Sequence, residues 1–325
     1  MLLYGPAALG FLFAVTTPGF LPDEELDHLV VLSRHGERYP LSPVPELGDF
    51  SLGALTPNGF TEEKNFGIQL SEWYSEFFEK KPTAHLASVN TSRCIDTAIA
   101  IMDGLSIDDY SFELLGTIRV LPNDVDSLLP LIEQSKTQVL PPCLDAALEN
   151  IELGTFTNFP ESSADVIHAV LKLLLADAVD TLMQSGYTGK VLGVDLATCV
   201  GAGTKVMGED AFARLTDICR PSQCVAIISK LMDDLRALAS ENKPPRKSVS
   251  VYGLSDVHIL DLLQSLLPQF NHTRPQFGGY ILLELRGDDV RILTGQHVSS
   301  QPKERASLNI REVIHLLQNR VGPTV

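Results

Sequence analysis

Two arginines bracket a histidine in the segment Arg34-His35-Gly36-Glu37-Arg38-Tyr39-Pro40. A phosphate monoester repels an incoming nucleophile, so cleaving it requires its charge to be neutralised and an attacking atom to be held in line with the leaving oxygen. Arg34 and Arg38 offer permanently charged planar forks suited to phosphate oxygens. An imidazole among such charges is biased toward its neutral form, which leaves a ring nitrogen to attack phosphorus. His35 is placed for that role. Gly36 has no side chain to obstruct close approach, and Pro40 stiffens the exit of the segment. The competing reading is a solvated basic loop.

Two distant segments supply complementary groups. Arg93, in Ser92-Arg93-Cys94, adds a third guanidinium, unless it is a surface ion-pair residue of a helix. In Tyr252 to Ile259, Asp256 is a carboxylate that can cap a helix. Ser255 precedes it and His258 follows it.

Together these segments resemble the histidine acid phosphatases of the histidine phosphatase, phosphoglycerate-mutase-like superfamily. Arg34 to Pro40 matches the R-H-G-x-R-x-P signature, Leu55-Thr56-Pro57-Asn58-Gly59 is similar to the L-T-x-x-G turn, and Ser92 to Ala98 resembles the stretch with the third phosphate-binding arginine. The resemblance implies a phosphohistidine on His35, phosphate binding by Arg34, Arg38 and Arg93, and proton donation by Asp256. Water then hydrolyses the intermediate, and no metal or other cofactor is implied. The expected partner is a small phosphate monoester, inositol phosphates being among the substrates of near relatives.

One position departs from the pattern. The family has adjacent His and Asp where this chain has Ser255 and Asp256. A hydroxyl supplies a hydrogen bond but no positive charge, and losing one pocket donor costs on the order of a hundredfold in rate. His258, three positions on, would share a helical face with Ser255 and could substitute in part, or be an ordinary packed histidine. Two functions follow as expectations: an acid phosphatase, or a degenerate member that binds phosphorylated ligands with little turnover.

These residues need a scaffold that brings positions 34, 93 and 256 together. His28 to Ser33 reads as a buried parallel strand, and residues 60–78 as a helix with an apolar face. His85 to Asn90 reads as a strand, and residues 92–104 as a helix stopped by Gly104. Lys247 to Tyr252 is a further strand, followed by a helix after Asp256 and by a hairpin over 279–294. The expected fold is α/β, a three-layer sandwich with a mainly parallel central sheet and an inserted helical cap. Residues 23–115 and 246–325 form the expected core, and 116–245 the cap.

Composition narrows the partners. A net charge of −16 disfavours nucleic acid and anionic membrane surfaces, which need broad basic patches. Residues 1–17 read as a signal peptide, which implies a secreted or lumenal protein, and no later stretch has the length of a membrane anchor. Five cysteines allow up to two disulfides, and sequons at Asn90 and Asn271 allow glycosylation. The glycines near 201–208 lack dinucleotide-loop spacing, and no G-x-S-x-G elbow is present.

Overall fold

The computed structural model describes residues 25–41, 44, 47–115, 178–179, 181–191, 194–195, 224–239, 247–270 and 275–321. The expected signal peptide, the Asn271 sequon, three of the five cysteines and most of the expected cap lie outside them. Among the described residues, no helix is long and apolar enough to cross a membrane.

The chain opens with β1 (His28–Arg34), α1 (Pro57–Trp73), α2 (Ser75–Glu79), β2 (Thr83–Val89), α3 (Ser92–Gly104) and β3 (Tyr110–Leu115). Two short strands follow, β4 (Lys190–Val191) and β5 (Val194–Asp195), which pair only with each other. Then come α4 (Cys224–Leu238), β6 (Ser248–Leu254), α5 (Asp256–Leu266), β7 (Tyr280–Arg286), β8 (Asp289–Gly295), β9 (Lys303–Asn309) and α6 (Ile310–Val321).

Seven strands form one mixed sheet in the order β3-β2-β6-β1-β7-β8-β9. The first four are parallel neighbours, and β7, β8 and β9 continue from β1 as an antiparallel meander. The central strands β1 and β6 are buried along all seven residues. That is why their sequences read as near-continuous apolar or small-residue runs. Their polar positions meet one another, with His28 Nδ1 2.5 Å from Ser248 Oγ.

Alternate residues of the strands feed two cores. Leu29, Val31, Val249, Val251 and Leu282 pack against Phe66 and Leu70 of α1 and Ala98 and Ile101 of α3. On the other face, Val30, Leu32, Tyr252, Leu254 and Leu283 pack against α4, α5 and α6 through Ile227, Leu231, Ile259, Leu262, Val313 and Leu317. The result is three layers, as expected.

α3 ends at Gly104 as read, with Leu105 as its C-cap, and Gly104 also makes room for α1. A Cβ on Gly104 would lie 2.0 Å from the carbonyl oxygen of Lys64, and one on Gly67 would lie 2.2 Å from that of Ile101. α4 lies inside the segment read as a cap, yet its apolar stripe is part of the sheet's own core. Cys94 is a free, buried thiol.

The meander is tied by a buried ionic group. Glu284 is fully buried and receives Arg286 Nη1 at 2.6 Å, Arg291 Nη1 at 2.8 Å and the Tyr74 hydroxyl at 2.8 Å. Arg291 also reaches Glu304 of β9 at 2.6 Å, so one network links β7, β8 and β9 to the end of α1.

Candidate active site

The site gathers at the C-terminal ends of the three central parallel strands, where an open α/β sheet places its crevice. Arg34 ends β1, Ser255 follows β6, and Arg93 is the second residue of the helix after β2. The parallel register aligns Arg34 with Leu254, and His35 N–H donates to the Leu254 carbonyl at 2.8 Å. Backbone pairing alone therefore brings the ends of β1 and β6 together.

His35 is buried, at 2 % exposure. Its Nδ1 lies 3.0 Å from the carbonyl oxygen of Gly36. A carbonyl only accepts, so Nδ1 carries the proton of the neutral ring and Nε2 keeps the lone pair. Burial, then the charges of Arg93, Arg34 and Arg38, hold His35 well below the usual imidazole range. All three guanidinium groups thus act on one ring.

Arg34 is fully buried. Its Nη2 lies 3.3 Å from Asp256 Oδ2 and its Nη1 donates to the Pro275 carbonyl at 2.6 Å. The guanidinium sits over the Phe277 ring, 4.4 Å from its centroid, and that ring is 5.7 Å from the His35 ring. The Arg38 guanidinium lies 6.0 Å from the same centroid. Gln184 Oε1 accepts from Phe277 N–H at 3.2 Å and from Arg34 Nη1 at 3.4 Å.

The turn at Thr56 to Gly59 buttresses the loop. Thr56 N–H donates to the Glu37 carbonyl at 2.9 Å. The Thr56 side chain caps α1 by accepting from Gly59 N–H at 2.9 Å, and its hydroxyl donates to the Glu37 carboxylate at 2.7 Å. A Cβ on Gly59 would fall 2.2 Å from the Glu37 carbonyl oxygen, so the turn can approach this closely only with glycine there. Thr97 of α3 accepts the Gly36 N–H at 3.0 Å.

Beyond β6, Ser255 is the N-cap of α5, and Asp256 is the first helical residue rather than the cap. Asp256 Oδ1 accepts the Val257 N–H at 3.0 Å. His258 Nδ1 accepts the Ser255 N–H at 3.2 Å and lies 2.8 Å from the Ser255 hydroxyl. Burial lowers His258 to about 4, with Asp256 opposing and Arg93 reinforcing that shift. His258 is therefore a neutral group in contact with Ser255 and within the fields of Asp256 and Arg93.

Three nearby residues escaped the sequence reading. Phe277 and Gln184 sit in segments with no motif. Glu63 is fully buried in α1, with Oε2 3.5 Å from the Ser33 hydroxyl. Its Oε1 lies 3.1 Å from where a Gly36 Cβ would stand and 3.0 Å from the same point on Gly278. Burial pushes its carboxyl well above the usual range, and Glu62 adds to that. Its place at the fourth residue after Gly59, on the inner face of α1, was the available signal.

No family model matches the sequence, and no curated protein does. Solved structures do. The phytase of Klebsiella sp. ASR1 superposes with a TM-score of 0.56 at 12% identity, over 92% of this chain and 98% of the phytase. The phytase of Citrobacter braakii gives 0.56 at 14% identity, over 92% and 98%. The multiple inositol polyphosphate phosphatase of Bifidobacterium longum, solved in complex with phosphate, gives 0.58 at 9% identity over 94% of each chain. This chain has the fold of these phytases and of the inositol polyphosphate phosphatase, the α/β fold implied by its resemblance to the histidine acid phosphatases.

Proposed function

We propose that the protein is a phosphate-monoester hydrolase that works through a phosphohistidine on His35. The observation that carries this reading is the state of that ring: buried, neutral, with Nδ1 facing the Gly36 carbonyl and three arginines around it. Such a site draws in a phosphate dianion and presents an unprotonated nitrogen to it.

Attack by Nε2 forms the N–P bond as the ester P–O bond breaks, and the positive charges balance the phosphoryl oxygens. Asp256 is the proposed donor to the leaving oxygen. Before substrate binds, Arg34 pairs with its carboxylate. A bound phosphate competes for that guanidinium and places negative charge beside Asp256, which favours its protonated form. Water then attacks the phosphohistidine, and Asp256 takes the proton from it. Arg34, Arg38 and Arg93 bind phosphate throughout.

A slow enzyme is the form of this reading that Ser255 supports. No histidine follows β6 directly, and His258 is neutral, so it brings a donor at most and no charge. A phosphate-binding protein with little turnover is the second reading. Release of p-nitrophenol from p-nitrophenyl phosphate between about pH 4 and 7 tests both. Turnover that disappears in His35→Ala supports the hydrolase, while phosphate binding without turnover in the wild type supports the second. The apolar N-terminal run supports a secreted or lumenal location, which expression with and without residues 1–17 tests.

A further inference from the structure

We propose that the leaving-group side of this site selects compact alcohol phosphates whose alcohol bears hydroxyl or ammonium donors, and rejects alcohols that carry further phosphates. The inference rests on the hydrolase reading and deepens it.

A cavity of about 580 Å³ adjoins the arginine site and shares Phe277 and Gln184 with it. Its wall includes Glu37, Asn58, Glu62 and His297, and no Lys or Arg among the described residues. Glu37 belongs to the His35 loop itself, and its carboxylate is fixed by Thr56 at 2.7 Å and Asn58 at 3.1 Å. Glu62 faces His297 at 3.7 Å.

The positive charge of the site is thus confined to the phosphoryl end, where Arg34, Arg38 and Arg93 act on His35. The space beyond has two carboxylates, Glu37 and Glu62, among amide, hydroxyl, imidazole and apolar groups, which suits hydroxyl and ammonium groups and opposes anions. An inositol polyphosphate would bring its remaining phosphates against this field, whereas phosphoethanolamine would bring an ammonium.

The test compares kcat/KM of the full chain on phosphoethanolamine, glycerol 2-phosphate and inositol hexakisphosphate, with p-nitrophenyl phosphate as reference. The expected result is at least a roughly tenfold preference for phosphoethanolamine over the hexakisphosphate at low salt, narrowing as ionic strength rises. In Glu62→Lys the ratio of hexakisphosphate to phosphoethanolamine activity should rise about tenfold, a change that general loss of structure would not produce. A wild-type preference for the hexakisphosphate, or a ratio unmoved in Glu62→Lys, overturns the proposal. If even p-nitrophenyl phosphate is not cleaved, the hydrolase reading fails instead. Thermal shifts with the same compounds then decide, and a larger shift from the hexakisphosphate overturns the proposal.

Discussion

His35 faces a carbonyl through Nδ1, and that contact decides which nitrogen can attack. Replacing His35 by alanine should lower turnover of p-nitrophenyl phosphate by about a thousandfold or more while leaving the fold intact, as read by kcat and by the melting temperature. Ser255 has a different task. It caps α5 and touches His258, so Ser255→Ala should cost about 1 kcal/mol in denaturant unfolding. Ser255→His would add a donor but must displace His258, so it should destabilise the protein rather than simply restore a pocket. The arginine-histidine motif made His35, Arg34 and Arg38 legible in sequence, because chemistry fixes both their types and their spacing. Phe277, Gln184 and Glu63 were not legible. Each acts through distance in space, across 242, 149 and 28 positions from His35, and an aromatic, an amide or a buried acid has many other uses.

At the level of elements, the segments read correctly were those with burial on both faces or one clean apolar stripe. β1 and β6 are wholly buried, and α1 and α3 place their large residues on one side. The edge strands gave no such signal. β3 exposes Phe112 and Leu114, and β9 is polar and half-exposed along its length, so neither has the alternation by which a half-buried strand is recognised. The stripe of α4 says in sequence that a helix packs, not on what; the structure puts it in the core of the sheet. Two substitutions test the packing. Gly104→Ala forces α1 and α3 apart at a contact of 2.0 Å and should destabilise by about 1–3 kcal/mol. Glu284→Ala leaves Arg291 buried without its carboxylate on β7 and should cost about 3–5 kcal/mol. Both are read from the urea midpoint.

Across the whole molecule, buried ionisable groups set the pH range of stability. His28 and His258 are lowered to about 4 by burial. Their unfolded forms take up protons near 6.5, so their contribution is intact above that pH and is lost as pH falls toward 4. Glu63 has the opposite sign. Its carboxyl is raised well above 4.5, so its contribution is intact below that value and is lost as pH rises through the elevated pKa. The melting temperature should therefore pass through a maximum, and Glu63→Gln, neutral at every pH, should flatten the alkaline side only. An acid phosphatase with these histidines would work on the falling acid limb of its own stability. The chain carries a net charge of −16, while three arginines act on one buried ring. Whether that ring becomes phosphorylated is the central question. The direct measurement is rapid quenching of the full chain with a ³²P-labelled aryl phosphate, followed by peptide mapping. We expect an acid-labile, base-stable phosphoryl group on His35 that forms and decays at rates compatible with turnover. Turnover with no phosphoryl group on His35, or with the label on another residue, would contradict the account.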